Sequence, residues 1–265
     1  MIDIGANLAH ESFAADREAV LARAWAAGLE AIIVTGSCYH SALAAIELSR
    51  AHPQRLWATV GLHPHHAEDW NAELAARFAE LATQPQVVSL GECGLDYFRD
   101  LAPRPRQRAA FSGQLELAVA RRLPLFLHQR EAHADFLAIL REYRAALGPV
   151  VVHCFTDQGA ALDDYLALDC HIGITGWICD ERRGGHLRAL LPRIPAARLM
   201  VESDAPYLLP RNLPRDQQPR DRRRNEPAFL PWVVQACAEA RGEPAGQLAA
   251  SSTETARGFF RLPAP

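Results

Sequence analysis

Eight short apolar runs recur along this chain, and a segment of helical periodicity follows each of them. The runs are Met1–Ile4, Ala31–Val34, Trp57–Gly61, Val87–Leu90, Leu125–His128, Val150–His153, His171–Ile174 and Leu199–Glu202. Their ends lie 22 to 36 residues apart, which accommodates one strand, one helix and two short loops. Alternating strands and helices with nearly continuous apolar strands predict a parallel sheet. Eight such units are enough to close a (β/α)8 TIM barrel.

The chain has 265 residues, a length that fits one large barrel or two smaller domains. No Ser/Gly-rich linker divides it, so we predict a single α/β barrel domain over residues 1–265. The competing fold is an open, doubly wound sheet. That fold usually carries a glycine-rich nucleotide turn after its first strand, and Gly5-Ala6-Asn7 is not such a turn.

Composition narrows the function classes. An apolar fraction of 49% with 22% charged residues is typical of a globular protein, and no apolar stretch approaches a membrane span. The N-terminus lacks the features of a signal peptide, and the six cysteines form no C-x-x-C pair, so we expect a reduced, cytoplasmic protein. The net charge of −3 confines any nucleic-acid site to a local patch. All 28 basic residues are arginine, which excludes Schiff-base chemistry.

Four of the runs end at, or two residues before, a residue type that binds metals, namely Glu92, His128, His153 and Asp204. The carboxyl ends of parallel strands meet at one rim of a barrel, so these side chains should converge. Histidines mixed with carboxylates suit Zn²⁺, Mn²⁺, Fe²⁺ or Ni²⁺, and also Mg²⁺ when water completes the ligand set. One of these histidines alone would more often be a structural core residue. Four ligand-type residues at four strand ends favour a metal site.

Further polar residues lie close to these strand ends. Glu202 shares a strand face with Asp204 and is expected to reach a ligand histidine from below. His63 and His65 follow the third strand and are candidate substrate contacts, with His63 favoured, and Arg130 is a candidate phosphate ligand. A long loop over residues 206–224 carries further phosphate candidates, namely Arg211, Arg215, Arg220, Arg222, Arg223 and Arg224.

Motifs distributed over nearly the whole chain resemble the TatD family of metal-dependent deoxyribonucleases, within the amidohydrolase-like TIM barrels. They are Gly61-Leu62-His63-Pro64-His65, Gly91-Glu92-Cys93-Gly94-Leu95-Asp96, Leu127-His128, His153-Cys154-Phe155-Thr156, Gly173-Ile174-Thr175-Gly176-Trp177, Glu202-Ser203-Asp204-Ala205-Pro206-Tyr207-Leu208 and Arg224-Asn225-Glu226-Pro227. The resemblance implies a 3′→5′ exonuclease acting on single-stranded DNA, with RNA as a second substrate. It also implies that a metal-activated water hydrolyses the phosphodiester bond.

The same resemblance implies roles for individual residues. Glu92, His128 and His153 would bind the principal divalent metal, and Asp204 would complete the site and handle the water; Glu92 and Asp204 are thus the expected catalytic residues. Arg224 and Asn225 would contact substrate. Mg²⁺ is the expected metal in function, with Mn²⁺ or Zn²⁺ as alternatives. The protein would act as a cytoplasmic monomer, without a membrane, in DNA repair.

One departure from the wider family concerns strand one. Most members carry a His-x-His pair there, whereas this chain has Gly5-Ala6-Asn7, an opening shared with one branch of the family. We therefore predict one tightly bound metal and a second that is weak or depends on substrate. Two other functions stay open at this point. The same barrel would serve a metal-dependent amidase or deacylase, and a non-catalytic partner protein is the third hypothesis.

Overall fold

The computed structural model describes residues 1–219 and 223–264. Eight parallel strands follow chain order in one sheet, each hydrogen-bonded to the next. They are β1 (Ile2–Ala6), β2 (Ala31–Val34), β3 (Leu56–Val60), β4 (Val87–Asp96), β5 (Leu125–Arg130), β6 (Val150–Val152), β7 (His171–Ile174) and β8 (Leu199–Val201). The predicted (β/α)8 barrel is confirmed, because the strand order never reverses as it would in an open doubly wound sheet.

Helices follow every strand. Those of the described residues are α1 (Arg17–Ala26), α2 (Tyr39–Ala51), α3 (Ala72–Leu81), α4 (Arg104–Arg121), α5 (His133–Tyr143), α6 (Gly159–Ala167), α7 (Gly185–Leu190), α8 (Leu230–Arg241) and α9 (Ala245–Phe260). The first eight correspond to the helical segments predicted from periodicity. Over residues 1–219 and 223–264, no helix is both long and apolar enough to cross a membrane.

Two apolar clusters hold the barrel together. The larger joins the helices to one face of the strands, where residues such as Ile32, Leu127 and Val152 are fully or almost fully buried. The smaller joins the opposite face, including Ile4 and Phe126, to the end of α9. Because side chains of a strand alternate between faces, the smaller cluster fills the barrel interior.

Helix α9 was not predicted from the sequence. Its residues include Ser251, Ser252, Thr253 and two glycines, which give little intrinsic helical preference. Tertiary packing supplies the stability instead, because Phe259 and Phe260 join the interior cluster and Leu248 joins the outer one. Since the interior cluster lies on the strands' opposite face from α1–α8, this helix closes one end of the barrel and leaves the other end for chemistry.

The seam between β8 and β1 is bridged by the residues that follow β8. Ser203 donates its amide to Asp3 Oδ1 at 2.9 Å, and Asp204 donates its amide to the Gly5 carbonyl at 2.8 Å. Asn7 in turn donates its amide to the Ala205 carbonyl at 2.7 Å. The first strand therefore fixes the backbone on which Asp204 stands.

Candidate active site

A cavity of about 740 Å³ opens at the carboxyl ends of the strands. Its wall includes the four predicted metal ligands, Glu92, His128, His153 and Asp204. His63, predicted as a substrate contact, also lines it. Glu92 was expected just beyond a strand, but β4 continues to Asp96, so Glu92 lies within it. The ladder between β4 and β5 is irregular between Leu90 and Cys93. Such an irregularity bends a strand locally, and Glu92 lies within the bent part.

One carboxylate oxygen forms the centre of the site. Glu92 Oε1 lies 2.9 Å from His153 Nε2, 3.0 Å from His128 Nδ1 and 3.4 Å from His63 Nε2. Burial raises the pKa of Glu92, but the charge of His153 and the hydrogen bonds from His128 and His153 outweigh it and hold that pKa well below its usual range. Burial also lowers the pKa of His153, yet the charges of Glu92 and Glu202 raise it well above normal.

The residues present fit a divalent metal. Ligand atoms of His63, Glu92 and His128 all lie within 4.8 Å of one another. His128 Nε2 is buried and makes no hydrogen bond within the described residues, although Asp96 Oδ2 is 3.4 Å away. Beneath the site, the carboxylates of Asp3 and Glu202 are fully buried. This concentration of carboxylates and imidazoles calls for a cation, because buried charges require a partner.

The structure places His63 on the cavity wall, where a substrate contact was predicted, and its ring also lies within the candidate ligand group. Burial lowers the pKa of His63 well below normal, so the ring is neutral and able to coordinate a metal. His65 faces the same cavity, and its Nε2 lies 2.9 Å from Asp96 Oδ2.

Asp96 supports both neighbouring histidines. Its Oδ1 accepts hydrogen bonds from the amides of Phe98 and Arg99, at 3.0 and 2.8 Å. Burial raises the pKa of Asp96, but the neighbouring His128 and His65 and the hydrogen bond from the Arg99 amide lower it strongly overall. The carboxylate is therefore a fixed negative charge that orients imidazoles.

Glu202 contacts His153 from beneath. Its Oε1 accepts the Cys154 amide at 2.6 Å, and its Oε2 lies 3.4 Å from His153 Nδ1. In the neutral ring that a metal would require, donation of the Nδ1 proton to Glu202 leaves Nε2 available as a ligand. The structure thus brings together the pair that strand periodicity suggested.

Asp204 lies on the cavity wall beside the seam of the barrel. Its Oδ1 accepts a hydrogen bond from Asn7 Nδ2 at 3.1 Å. Burial, reinforced by Glu92 and Glu202 and opposed by His153, raises the pKa of Asp204 to about 8. The residue that stands in place of the second family histidine, Asn7, therefore orients the side chain of Asp204.

Gly5 is required by close packing. A Cβ atom at this position would lie 2.6 Å from Glu202 Oε2 and 2.8 Å from Phe126 Cζ. Both side chains are fully buried and cannot move into solvent. The space that a histidine would need at position 5 is occupied by Glu202 and Phe126.

The expected substrate ligands fall into two groups. Arg130 lines the cavity, as predicted for a phosphate contact. Arg224 instead pairs with Asp16 at 2.7 Å and with Glu226 at 2.9 Å, away from the cavity wall. Asn225 is fully buried and donates to the Ser203 carbonyl at 2.8 Å. This geometry does not favour substrate contacts for Arg224 or Asn225.

The basic loop is also partly neutralised by protein groups. Arg211 pairs with Glu181 at 2.7 Å, as Arg224 does with its own acidic partners. Arg220 and Arg222 lie outside the described residues. The broad phosphate patch expected from this loop therefore finds little support in the residues that are described.

Several residues that line the cavity were not predicted from the sequence as site residues. They are Arg99, Leu101, Trp177, Arg183, Tyr207 and Leu208. Trp177 and Tyr207 occur within the family motifs and directly after β7 and β8, so the sequence could have predicted them as cavity residues. Arg183 gave no comparable signal, because it lies nine residues after the end of its strand.

Comparisons with known proteins agree with this geometry. The model of the family described as "TatD related DNase" matches residues 2–261. A protein of Erwinia tasmaniensis named "3'-5' ssDNA/RNA exonuclease TatD" is 49% identical over 99% of this chain and 100% of its own length. A protein of Pantoea vagans with the same name is 48% identical over the same shares. The crystal structure of a TatD homologue from Escherichia coli k12 has a TM-score of 0.89 and 28% identity, covering 99% of this chain and 98% of that one.

Proposed function

The chain belongs to the TatD-related DNase family, and on that premise we propose that it is a metal-dependent 3′→5′ exonuclease acting on single-stranded DNA and RNA. The observation that carries the proposal is the group of three imidazoles around Glu92 Oε1, with Asp204 on the same cavity wall. A phosphodiester hydrolase needs positive charge at the phosphate and a proton acceptor for water, and this arrangement provides places for both.

We assign the metal site to Glu92, His128 and His153, with Asp204 completing it and His63 added on geometric grounds. Mg²⁺ is the proposed ion in function, and Mn²⁺ or Zn²⁺ would suit the nitrogen ligands. When bound, the ion supplies charge against the phosphate and makes water a better nucleophile.

The protein groups supply orientation and proton transfer. Asn7 holds Asp204 Oδ1, which positions this carboxylate to complete the metal site and to accept the proton of the attacking water. Glu202 fixes the His153 ring, and Asp96 fixes that of His65. Arg130 at the cavity mouth binds the phosphate of the strand that enters.

The test is a time course on 5′-labelled single-stranded DNA and RNA with Mg²⁺, Mn²⁺ or Zn²⁺. We expect products that shorten stepwise from the 3′ end, and no cleavage in EDTA. His128→Ala and Asp204→Ala should abolish cleavage, whereas His52→Ala, a histidine paired with Glu18 on helix α1, should not. Undiminished cleavage by both site variants would contradict the proposal, as would hydrolysis of an acyl-amide panel in place of oligonucleotides.

We also propose that the protein acts as a cytoplasmic monomer. Only three large apolar side chains are exposed among the described residues, which favours a monomer over a stable dimer. Light scattering of the purified protein at micromolar concentration tests the monomer. A stable dimer mass would contradict it.

A further inference from the structure

Exposed large apolar side chains are confined to one place on the described surface. They are Phe98, Leu101 and Tyr207, with 48%, 63% and 51% of their surface exposed. Leu101 and Tyr207 line the active-site cavity, and Phe98 contacts Arg130, which also lines it. Exposed apolar groups that cluster at the mouth of a cavity, rather than scatter over the surface, indicate a binding function.

The two aromatic rings stand on different sides of the mouth. Phe98 follows β4 and Tyr207 follows β8. In a barrel whose eight strands run in chain order, the fourth and eighth strands lie opposite one another. A strand of nucleic acid whose phosphate reaches Glu92 therefore has one ring on either side of it.

Arginines accompany the first ring. The Arg130 guanidinium lies 3.8 Å from the centroid of Phe98 and 5.9 Å from that of Trp177, and Arg183 lies 4.3 Å from Trp177. Stacked guanidinium groups keep their N–H edges available for phosphate oxygens. Alternating aromatic faces and cations are the pattern by which proteins hold single strands without reading their sequence.

We propose that Phe98 and Tyr207 stack the nucleobases on either side of the scissile phosphate. The inference rests on the proposed nuclease function and specifies its substrate as a 3′ end with at least two unpaired bases. Paired bases within a duplex are stacked on their neighbours and cannot lie against these rings. Stacking reads the base and not the sugar, so DNA and RNA ends are both accepted.

The experiment is a double-mutant cycle between protein and substrate. Cleavage efficiency, kcat/KM, is measured on a single-stranded oligonucleotide with normal bases and on versions with an abasic site at the terminal, the penultimate or both 3′ positions. For the wild type we expect each missing base to lower kcat/KM by about 5- to 150-fold, the range for base–aromatic stacking. Phe98→Leu and Tyr207→Leu should each lower kcat/KM on the normal strand and abolish the discrimination at one position.

Matched variants separate stacking from other effects. Phe98→Trp should retain discrimination, because it keeps an aromatic face. Trp25→Leu is the control, because it removes a ring that a guanidinium, that of Arg55, covers at the same 3.8 Å. Arg55 precedes β3 and so lies at the opposite end of the barrel from the cavity. In this variant, discrimination between normal and abasic ends should be unchanged. On the doubly abasic strand, wild type, Phe98→Leu and Tyr207→Leu should have equal kcat/KM.

Three results would overturn the inference. One is equal wild-type kcat/KM on normal and abasic ends. Another is full discrimination retained by both leucine variants. The third is a change from dimer to monomer in those variants with discrimination unaltered, which would make the rim a self-association surface. A wild type that degrades no oligonucleotide would instead refute the proposed function, so the two failures are distinguishable.

Discussion

Replacing Gly5 by alanine tests whether the missing family histidine reflects a filled space. The added Cβ would lie 2.6 Å from Glu202 Oε2 and 2.8 Å from Phe126 Cζ, distances that real Cβ atoms essentially never show. Glu202 cannot withdraw without loosening its hydrogen bond to the Cys154 amide, and Phe126 is fully buried in the barrel interior. Any relief must therefore come from displaced core side chains.

The expected cost follows from overpacking. Inserting a methyl group into a packed core typically costs about 1–3 kcal/mol, and the reduced freedom of the unfolded chain offsets roughly 0.4–1 kcal/mol of that. Gly5→Ala should therefore lower the free energy of unfolding by about 1–2 kcal/mol. For a chain of this size that is a fall in Tm of roughly 2–8 °C. Cleavage should fall too, because the carboxylate beneath His153 moves.

The control is the same substitution at Gly258. This glycine lies inside helix α9, and a Cβ there meets no atom within 4 Å. Alanine in a helix interior is about 0.5–1 kcal/mol better than glycine, so Gly258→Ala should raise stability. Thermal and urea unfolding of both variants, with cleavage of single-stranded DNA, give the comparison. A Gly5→Ala protein as stable and active as wild type would refute the filled-space explanation.

Three further predictions concern the metal, its support and acid stability. Metal analysis of protein purified without substrate should find one tightly held divalent ion per chain, and two would contradict the role given to Gly5 and Asn7. Glu202→Gln should weaken metal affinity or activity by about 10- to 100-fold, measured by metal titration of cleavage rate; unchanged titration curves would remove Glu202 from the site. Burial and the charge of Arg198 lower the pKa of His171 to about 4. As pH falls from about 6.5 towards 4, this histidine is protonated in the unfolded chain but not in the folded one, so the folded state loses stability. Across that window His171→Gln should lose about 2–3 kcal/mol less than wild type in urea unfolding, and parallel losses would contradict the assignment.

The sequence predicted most of the fold because the fold is repetitive. All eight strands and the first eight helices occur where apolar runs and helical periodicity indicated them. Helix α9 escaped because its helical state depends on contacts of Phe259 and Phe260 with the barrel interior. The extension of β4 to Asp96 escaped because Gly91 and Gly94 indicate a loop when neighbouring strands are not considered.

Site residues near strand ends could be predicted from the sequence, whereas the positions of loop residues could not. Glu92, His128, His153 and Asp204 reach one cavity because the carboxyl ends of parallel strands, near which all four lie, meet at one rim. Their metal and catalytic roles stay predictions, as do the cytoplasmic location and the part in DNA repair. The nearness of His63 to Glu92 depends on a loop path that spacing does not reveal. For Arg224, the sequence showed a charge but not its partners Asp16 and Glu226, which lie about 200 positions and two positions away.

The seam between the first and last strands has a consequence for the chain while it is being made. Proteins emerge from the ribosome with their N-terminus first. Ser203 binds Asp3, and Asp204 binds Gly5 and Asn7, across about 200 residues of chain. A nascent chain that has not reached β8 holds Glu92 and the histidines but lacks the group proposed to activate water. The proposed site is therefore complete only after β8 has been made and has joined β1.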